Sequence, residues 1–349
     1  MNHRAVLLCL VLIALVTPAF AGDTIPLSPS ETAVTVRQVE GGGEILVVTV
    51  SEVRLDAIEI EGRSWAVVRV PRGHNSMDAG FPSLPFLPVE YLLGRRDAIE
   101  LEPRAVTVRE NHLEASEIAG VAPSKGHFDR TVDPDSVPWR FDEKAYQSSV
   151  PYPAATAEID DPFIAGPIRG QAIRLPVAHW RASDNLLTVV EEARFRVKQL
   201  PSGQNPRLRP DPPMTGLFLQ VARHRMVNFD LVAGRYQPVV EAGRLLILAY
   251  DDFVDEAQPL TDWQRLVGYP TVVTPISTVG TTSSQVAAYI QSLYDEPQGL
   301  TWIVLVGDHQ QIQSPSGVNE GATCDPCYTK LEGNDNRPDA AISRISAQS

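Results

Sequence analysis

The chain has 349 residues, with 30 Lys and Arg against 43 Asp and Glu, for a formal net charge of −13. That sign argues against nucleic acid as a partner, because such binding rests on neutralising phosphates with cations. Apolar residues make up 43% and charged residues 21%, an ordinary globular balance, and three cysteines are too few for a disulfide-stapled scaffold, so stability has to come from packing.

The first element in chain order is a leader. Met1 to Arg4 is positively charged, Ala5 to Val16 is an unbroken apolar run, and Ala19-Phe20-Ala21 offers the small-x-small pattern read by a signal peptidase. A removable secretory signal peptide is therefore expected over 1–21, cut before Gly22 and taking no part in the fold. Export places the protein outside the cell or on the bacterial surface. As a helix the apolar run reaches roughly 18 Å, short of the ~30 Å of a bilayer core, and no later stretch is longer. No transmembrane segment is expected, and Cys9 departs with the leader. The remaining chain has room for two or three domains.

From Val34 to about residue 230 the patterns are β-type. Short strands are expected at Val34–Val36, Ile45–Val50, Val53–Leu55, Ile58–Ile60 and Trp65–Val70, with turns at Gly41-Gly42-Gly43 and Glu61-Gly62. The three prolines of Gly80–Pro88 forbid a helix and predict an extended connection to strands at Val89–Leu93, Ile99–Leu101 and Ala105–Val108. Residues 120–167, rich in Pro, Asp, Ser and Ala, read as a long loop between two subdomains. Strands resume at Gln171–Pro176, Leu186–Val197 and Gly216–Val221, with no amphipathic helix of useful length before residue 236.

The period then changes. Leu245–Tyr250 is a continuous apolar run suited to a strand buried on both faces of a parallel sheet. A short helix follows, marked by Pro259, Leu260, Trp263, Leu266 and Val267 and stopped by Gly268. Thr271–Thr274 is a strand, and Thr282 or Ser283 caps a helix whose inward face is Val286, Tyr289, Ile290 and Leu293. Trp302–Val306 is the next strand, and Ala340–Ile345 a candidate fourth. This βαβαβ order predicts right-handed crossovers and a functional edge beyond the strands' carboxyl ends, carrying Asp251, Asp252, Asp308 and His309. A sheet of this kind usually draws on more chain than this, so the domain is expected to be truncated or completed from outside the sequence.

Here the residues resemble a known family. Residues 236–349 are similar to the start of the gingipain cysteine endopeptidases, through Tyr236–Val239, Arg244–Ile247, Leu260–Gln264, Trp302–His309, Gly333-Asn334-Asp335 and Ala341–Ala347. The region before Tyr236 resembles the family's β-rich propeptide, notably at Gly80–Pro85 and Arg169-Gly170-Gln171. Ser343 stands where the family commonly has glycine, and the Cys324-Asp325-Pro326-Cys327 sequence lies outside the pattern. The resemblance implies a signal peptide (1–21), a β-rich propeptide region (22–235) and the N-terminal part of a caspase/gingipain-like α/β peptidase domain with a largely parallel sheet, truncated (236–349). It also implies peptide-bond hydrolysis by a His/Cys dyad, in which imidazole takes the thiol proton and the thiolate attacks the carbonyl. That dyad is expected beyond residue 349, so no catalytic residue is assigned within the chain. Protein or peptide substrates are implied for the full-length enzyme, with the pro-region packed on its own catalytic domain and no cofactor. The competing reading is a noncatalytic secreted or cell-surface β-rich binding protein, or a degenerate family member.

Several residues are candidates for narrower roles. Asp308 and His309 either stabilise a turn after Gly307 or support the site. Cys324 and Cys327 are candidates for a disulfide, with free thiols, a redox pair, part of a zinc site or a local dyad with His309 as alternatives. Asp325, Asn334, Asp335 and Asp339 are weak candidates for a structural calcium site, set against ordinary loop acids. Arg235, next to Gly234 where the composition switches, is a candidate cleavage point before Tyr236, or one surface arginine among many.

Overall fold

The structure, a computed structural model, describes residues 11–14, 22–129, 131–209, 214–235, 243–318 and 321–347. These fall in two compact units, one of Met1–Glu90, Ile99–Asp160 and Ala172–Leu200, the other of Tyr91–Ala98, Asp161–Gln171 and Pro201–Ser349.

The first unit is β-rich. Ala33–Gln38 and Glu44–Thr49 form an antiparallel hairpin reversed at Gly41, Gly42 and Gly43, whose φ angles of +88°, +90° and +101° suit glycine alone. Leu46 and Val48 turn inward, and Phe195 of Leu186–Pro201 lies opposite Leu46. Glu52–Ile60 pairs with Arg63–Arg69 across Glu61-Gly62, both at positive φ, as a two-residue turn between twisted strands requires. The two short strands expected at 53–55 and 58–60 are thus one, because pairing continues through Asp56 and Ala57. Ile99–Leu101 and Ala105–Val108 likewise belong to one strand, Asp97–His112.

Two other expectations change. In the uncut chain Val11–Ala14 is a strand paired in parallel with Val106–Arg109, its backbone supplying partners to a strand edge, a pairing that cleavage before Gly22 would remove. Residues 120–157 are more than an open connection. Val121 bridges to Ala66, the Tyr146 hydroxyl donates to Val121 O at 2.8 Å, and Trp65, Phe141, Tyr146 and Trp180 form a chain of rings with centroids 4.7 to 5.8 Å apart. Burying these aromatic rings compensates for the absence of long regular elements.

The second unit holds a four-stranded, wholly parallel sheet in the order Thr271–Pro275, Leu245–Ala249, Trp302–Val306, Ala341–Ile345. Every residue of Leu245–Ala249 is buried, as the unbroken apolar run requires. The helix Ser283–Asp295 buries Val286, Ile290 and Leu293. Its start is a capping box: Gln285 N donates to Thr282 Oγ1 at 3.3 Å and Thr282 N to Gln285 Oε1 at 3.2 Å. Thr282→Ala is expected to cost about 1 kcal/mol, read as a shift in the denaturation midpoint. An unchanged midpoint would mean that water caps the helix equally well.

The helix expected from Pro259, Leu260, Trp263, Leu266 and Val267 is present as Gln258–Leu266. Ala257, Leu260 and Thr261, spaced i, i+3, i+4, face the core, and the Thr261 hydroxyl is satisfied by Ala257 O at 2.9 Å. Trp263, Leu266 and Val267 are 59%, 79% and 47% exposed, since they lie around the helix from that stripe. Gly216–Val221 is not a strand but the start of the helix Gly216–Arg225, in which Phe218 and Ala222, four residues apart, are the buried pair. Sheet order reverses at Leu245–Ala249, whose sequence neighbours lie on opposite sides, and this opens a crevice at the carboxyl ends.

Candidate functional site

Ala249 and Val306 end side by side, so the residues that follow them share the crevice. Asp251 is occupied there, its Oδ1 accepting from Ser277 N at 3.1 Å. After Gly307 turns the chain at φ +137°, Asp308 Oδ1 accepts from His309 N at 2.7 Å, and Asp308 N donates to Gln311 Oε1 at 2.6 Å. Asp308 therefore stabilises its own turn. His309 is exposed, and its Nδ1 accepts from Ser314 N at 3.2 Å.

Behind His309 lies an ion pair that sequence reasoning missed. Arg344 holds Asp325 with a fork, Nε to Oδ2 at 2.8 Å and Nη2 to Oδ1 at 2.7 Å, and its Nη1 donates to Gly307 O at 3.0 Å. The Ser314 hydroxyl donates to Asp325 Oδ1 at 2.6 Å. Hydrogen bonding from Arg344 holds the Asp325 carboxyl below its ordinary range, with the Ser314 bond adding to the effect, so the pair is charged at neutral pH. The available signal was Arg344 itself: a guanidinium within a strand of a parallel sheet, opposite Leu305, calls for an acidic partner.

Cys324 and Cys327 are joined by a disulfide with Cα atoms 5.3 Å apart. Neither sulfur is a thiol, so this structure contains no dyad between His309 and either cysteine. Among the described residues no group of three or more His, Cys, Asp or Glu could hold a metal ion. The four calcium candidates do not converge. Asp325 is bound to Arg344; Asp335 Oδ2 accepts from Ile164 N at 2.8 Å and Asn205 Nδ2 at 2.7 Å; Asn334 N donates to Asn205 Oδ1 at 3.0 Å. Asp339, fully buried, accepts from Gly166 N at 2.9 Å on Oδ1 and from Leu331 N and Glu332 N, both at 2.8 Å, on Oδ2.

These acids instead make residues 331–339 a grip on the hairpin turn between Glu158–Ala165 and Ile168–Pro176. Arg207, 1% exposed, pairs with Glu332 at 3.0 Å and donates to Gly166 O at 2.6 Å. Arg337 lies over the Phe163 ring at 4.5 Å. A Cβ on Gly166 would meet the Phe218 ring at 2.4 to 2.8 Å, so only glycine fits at this turn. Arg235, the candidate cleavage residue, closes the short turn Ala233–Arg235; Tyr236 lies outside the described residues.

Two family models divide the chain at that turn: the C25 propeptide matches residues 34–235, and peptidase family C25 matches residues 240–349. The chain belongs to the C25 peptidase family. Gingipain R2 of Porphyromonas gingivalis is 27% identical over 308 residues, which is 85% of this chain and 40% of that protein. Lys-gingipain HG66 of the same organism is 21% identical over 310 residues, 86% of this chain and 18% of its own length. This C25 chain thus spans less than half the length of these relatives. A solved complex of the pro- and mature domains of RgpB from P. gingivalis aligns at a TM-score of 0.49 and 20% identity, over 57% of this chain and 97% of that one. The β-rich first unit and the parallel sheet of the second agree with the propeptide and peptidase matches. Among the described residues, no helix of this family member is long and apolar enough to cross a membrane.

Proposed function

We propose that this chain is the leading part of an exported cysteine endopeptidase precursor. On this reading residues 1–21 are a signal peptide, 22–235 a pro-region, and 236–349 the opening of the peptidase domain, with the His/Cys dyad contributed by residues past 349. The observation that carries the reading is the succession of a propeptide match over 34–235 and a peptidase match over 240–349. The charged start, apolar run and small-x-small pattern of the first 21 residues support the export leader. The disulfide supports placing the nucleophile elsewhere, since it occupies both exported cysteines of these 349 residues. In the full-length enzyme a thiolate would attack the peptide carbonyl, and an acyl-enzyme would then be hydrolysed. The substrates are proteins or peptides. The grip of residues 331–339 on 161–171 supports a pro-region that packs on its own peptidase domain.

Amino-terminal sequencing of the exported full-length protein is expected to give two starts, Gly22 in the precursor and Tyr236 in the processed form. Thiol alkylation is expected to abolish peptide hydrolysis by the processed form. Hydrolysis that survives alkylation would sink the cysteine-peptidase reading, and a protein with no hydrolysis in either form would favour the secreted binding protein.

A further inference from the structure

Residues 331–339 hold Phe163–Gly166, at the hairpin turn of the pro-region, and they do so mainly through its backbone. The amides of Ile164 and Gly166 are two residues apart, the repeat of an extended strand. They donate to Asp335 Oδ2 at 2.8 Å and to Asp339 Oδ1 at 2.9 Å. One side chain of the stretch is read as well, the Phe163 ring, over which the Arg337 guanidinium lies at 4.5 Å from the centroid.

The two carboxyls are set for this task by their own segment. Arg337 N donates to Asp335 Oδ1 at 2.8 Å, and Leu331 N and Glu332 N donate to Asp339 Oδ2, both at 2.8 Å. Each carboxyl thus has one oxygen fixed from within residues 331–339 and the other turned to the pro-region. A seat arranged without help from its guest loses little freedom when the guest arrives. Beside them Glu332, 10% exposed, keeps Oε1 buried with no hydrogen-bond partner among the described residues, one acceptor more than the resident stretch uses. Asn205 and Arg207 add bonds to Asp335 and Glu332 from a second pro-region segment and leave with it.

We propose that residues 331–339 are an exosite: once the pro-region has left, Asp335, Arg337 and Asp339 take an extended segment of another protein, one that offers an aromatic residue followed, at the next and the third position, by two backbone amides. The inference rests on the reading of residues 22–235 as a removable pro-region. Its chemistry is that of strand capture, in which the main chain supplies affinity and a side chain supplies selection. Gly166, at φ +55°, lets the resident chain turn away directly at its second amide, so the guest that fits is a β-hairpin turned at glycine.

The test uses the full-length exported protein after processing, alkylated so that it does not cut the probe, and freed of the pro-region by gel filtration. The probe is a fluorescein-labelled cyclic peptide of residues 161–171, closed so that the turn is held. Saturable binding by fluorescence anisotropy is expected, at least tenfold tighter to the processed protein than to the precursor, whose own stretch fills the seat. N-methylation of the probe at the Ile164 amide, or at the Gly166 amide, should weaken binding about tenfold, and Phe163→Ala in the probe about threefold. A cyclic peptide that keeps Phe163, Gly166 and the two prolines and carries alanine elsewhere should bind within about threefold of the probe, because the seat reads the backbone. Equal binding to both protein forms, N-methylated probes that bind as well as the parent, or an alanine-filled guest that does not bind would each overturn the proposal. So would a pro-region that stays with the processed protein through gel filtration, since the seat would then never be vacant. Amino-terminal sequencing separates the two failures. A sample with no chain starting at Tyr236 counts against the pro-region reading itself, whereas a Tyr236 start without binding counts against the exosite alone.

Discussion

Replacing Arg207 by methionine is expected to destabilise the second unit by about 3–5 kcal/mol, the cost of leaving a buried charge without its partner. Arg207 is 1% exposed, and its fork reaches Glu332 and the carbonyls of Gly166 and Ile168. Methionine fills part of the volume but takes the guanidinium from the Glu332 carboxylate, which is 10% exposed and accepts from the Tyr294 hydroxyl at 3.1 Å. The carbonyl of Gly166 loses a donor as well. The measurement is a denaturant titration with hydrogen exchange at residues 331–339. The double variant Arg207→Met/Glu332→Gln should recover a large part of the loss, because the uncompensated charge is then gone. A single-variant loss under about 1 kcal/mol would show that water reaches the pair and that the guanidinium is dispensable.

Asp339→Ala is expected to have a comparable effect by a different route. It removes the acceptor for three amides, that of Gly166 buried and those of Leu331 and Glu332 part-buried, and a fully buried orphaned donor costs about 1–3 kcal/mol. The native residue also imposes a pH dependence. Burial pushes the Asp339 carboxyl up from 3.8 to about 7, against the opposing pull of its three amide bonds. The folded state therefore binds more protons than the unfolded state between those values. Stability from this group is full below about pH 4, falls as pH rises through that window, and is lost above about pH 7. Asp339→Asn, which cannot ionise, should remove this slope from a stability–pH profile. A wild-type profile flat from pH 4 to 7, or rising across it, would mean that the amide bonds outweigh burial.

Local chemistry was sufficient for much of the fold. The triple glycine at 41–43, the Glu61-Gly62 turn, the continuous apolar run at 245–249 and the Thr282 cap each fix their structure within a few residues, and each is found as the sequence indicates. Errors arose where two periods fit the same residues. Leu217, Phe218 and Val221 suit a strand or a helix, and burial of Phe218 with Ala222 decides for the helix. In the helix Gln258–Leu266 the packed side is the one bearing Ala257 and Thr261, and which side packs was not legible from its apolar residues.

What the sequence by itself determined is the family and the chain order of strands and helices in the parallel sheet, because motifs and periodicity are short-range properties. The partnerships were left to the tertiary structure. Asp339 with Gly166 spans 173 positions, Arg207 with Glu332 spans 125, and Asp325 with Arg344 spans 19. No local preference can encode which acid meets which distant donor. A loop carboxylate becomes a ligand, a catalyst or a structural acceptor according to what the fold brings against it. Here the acids that might have gathered around a cation are each bound separately to amides or a guanidinium.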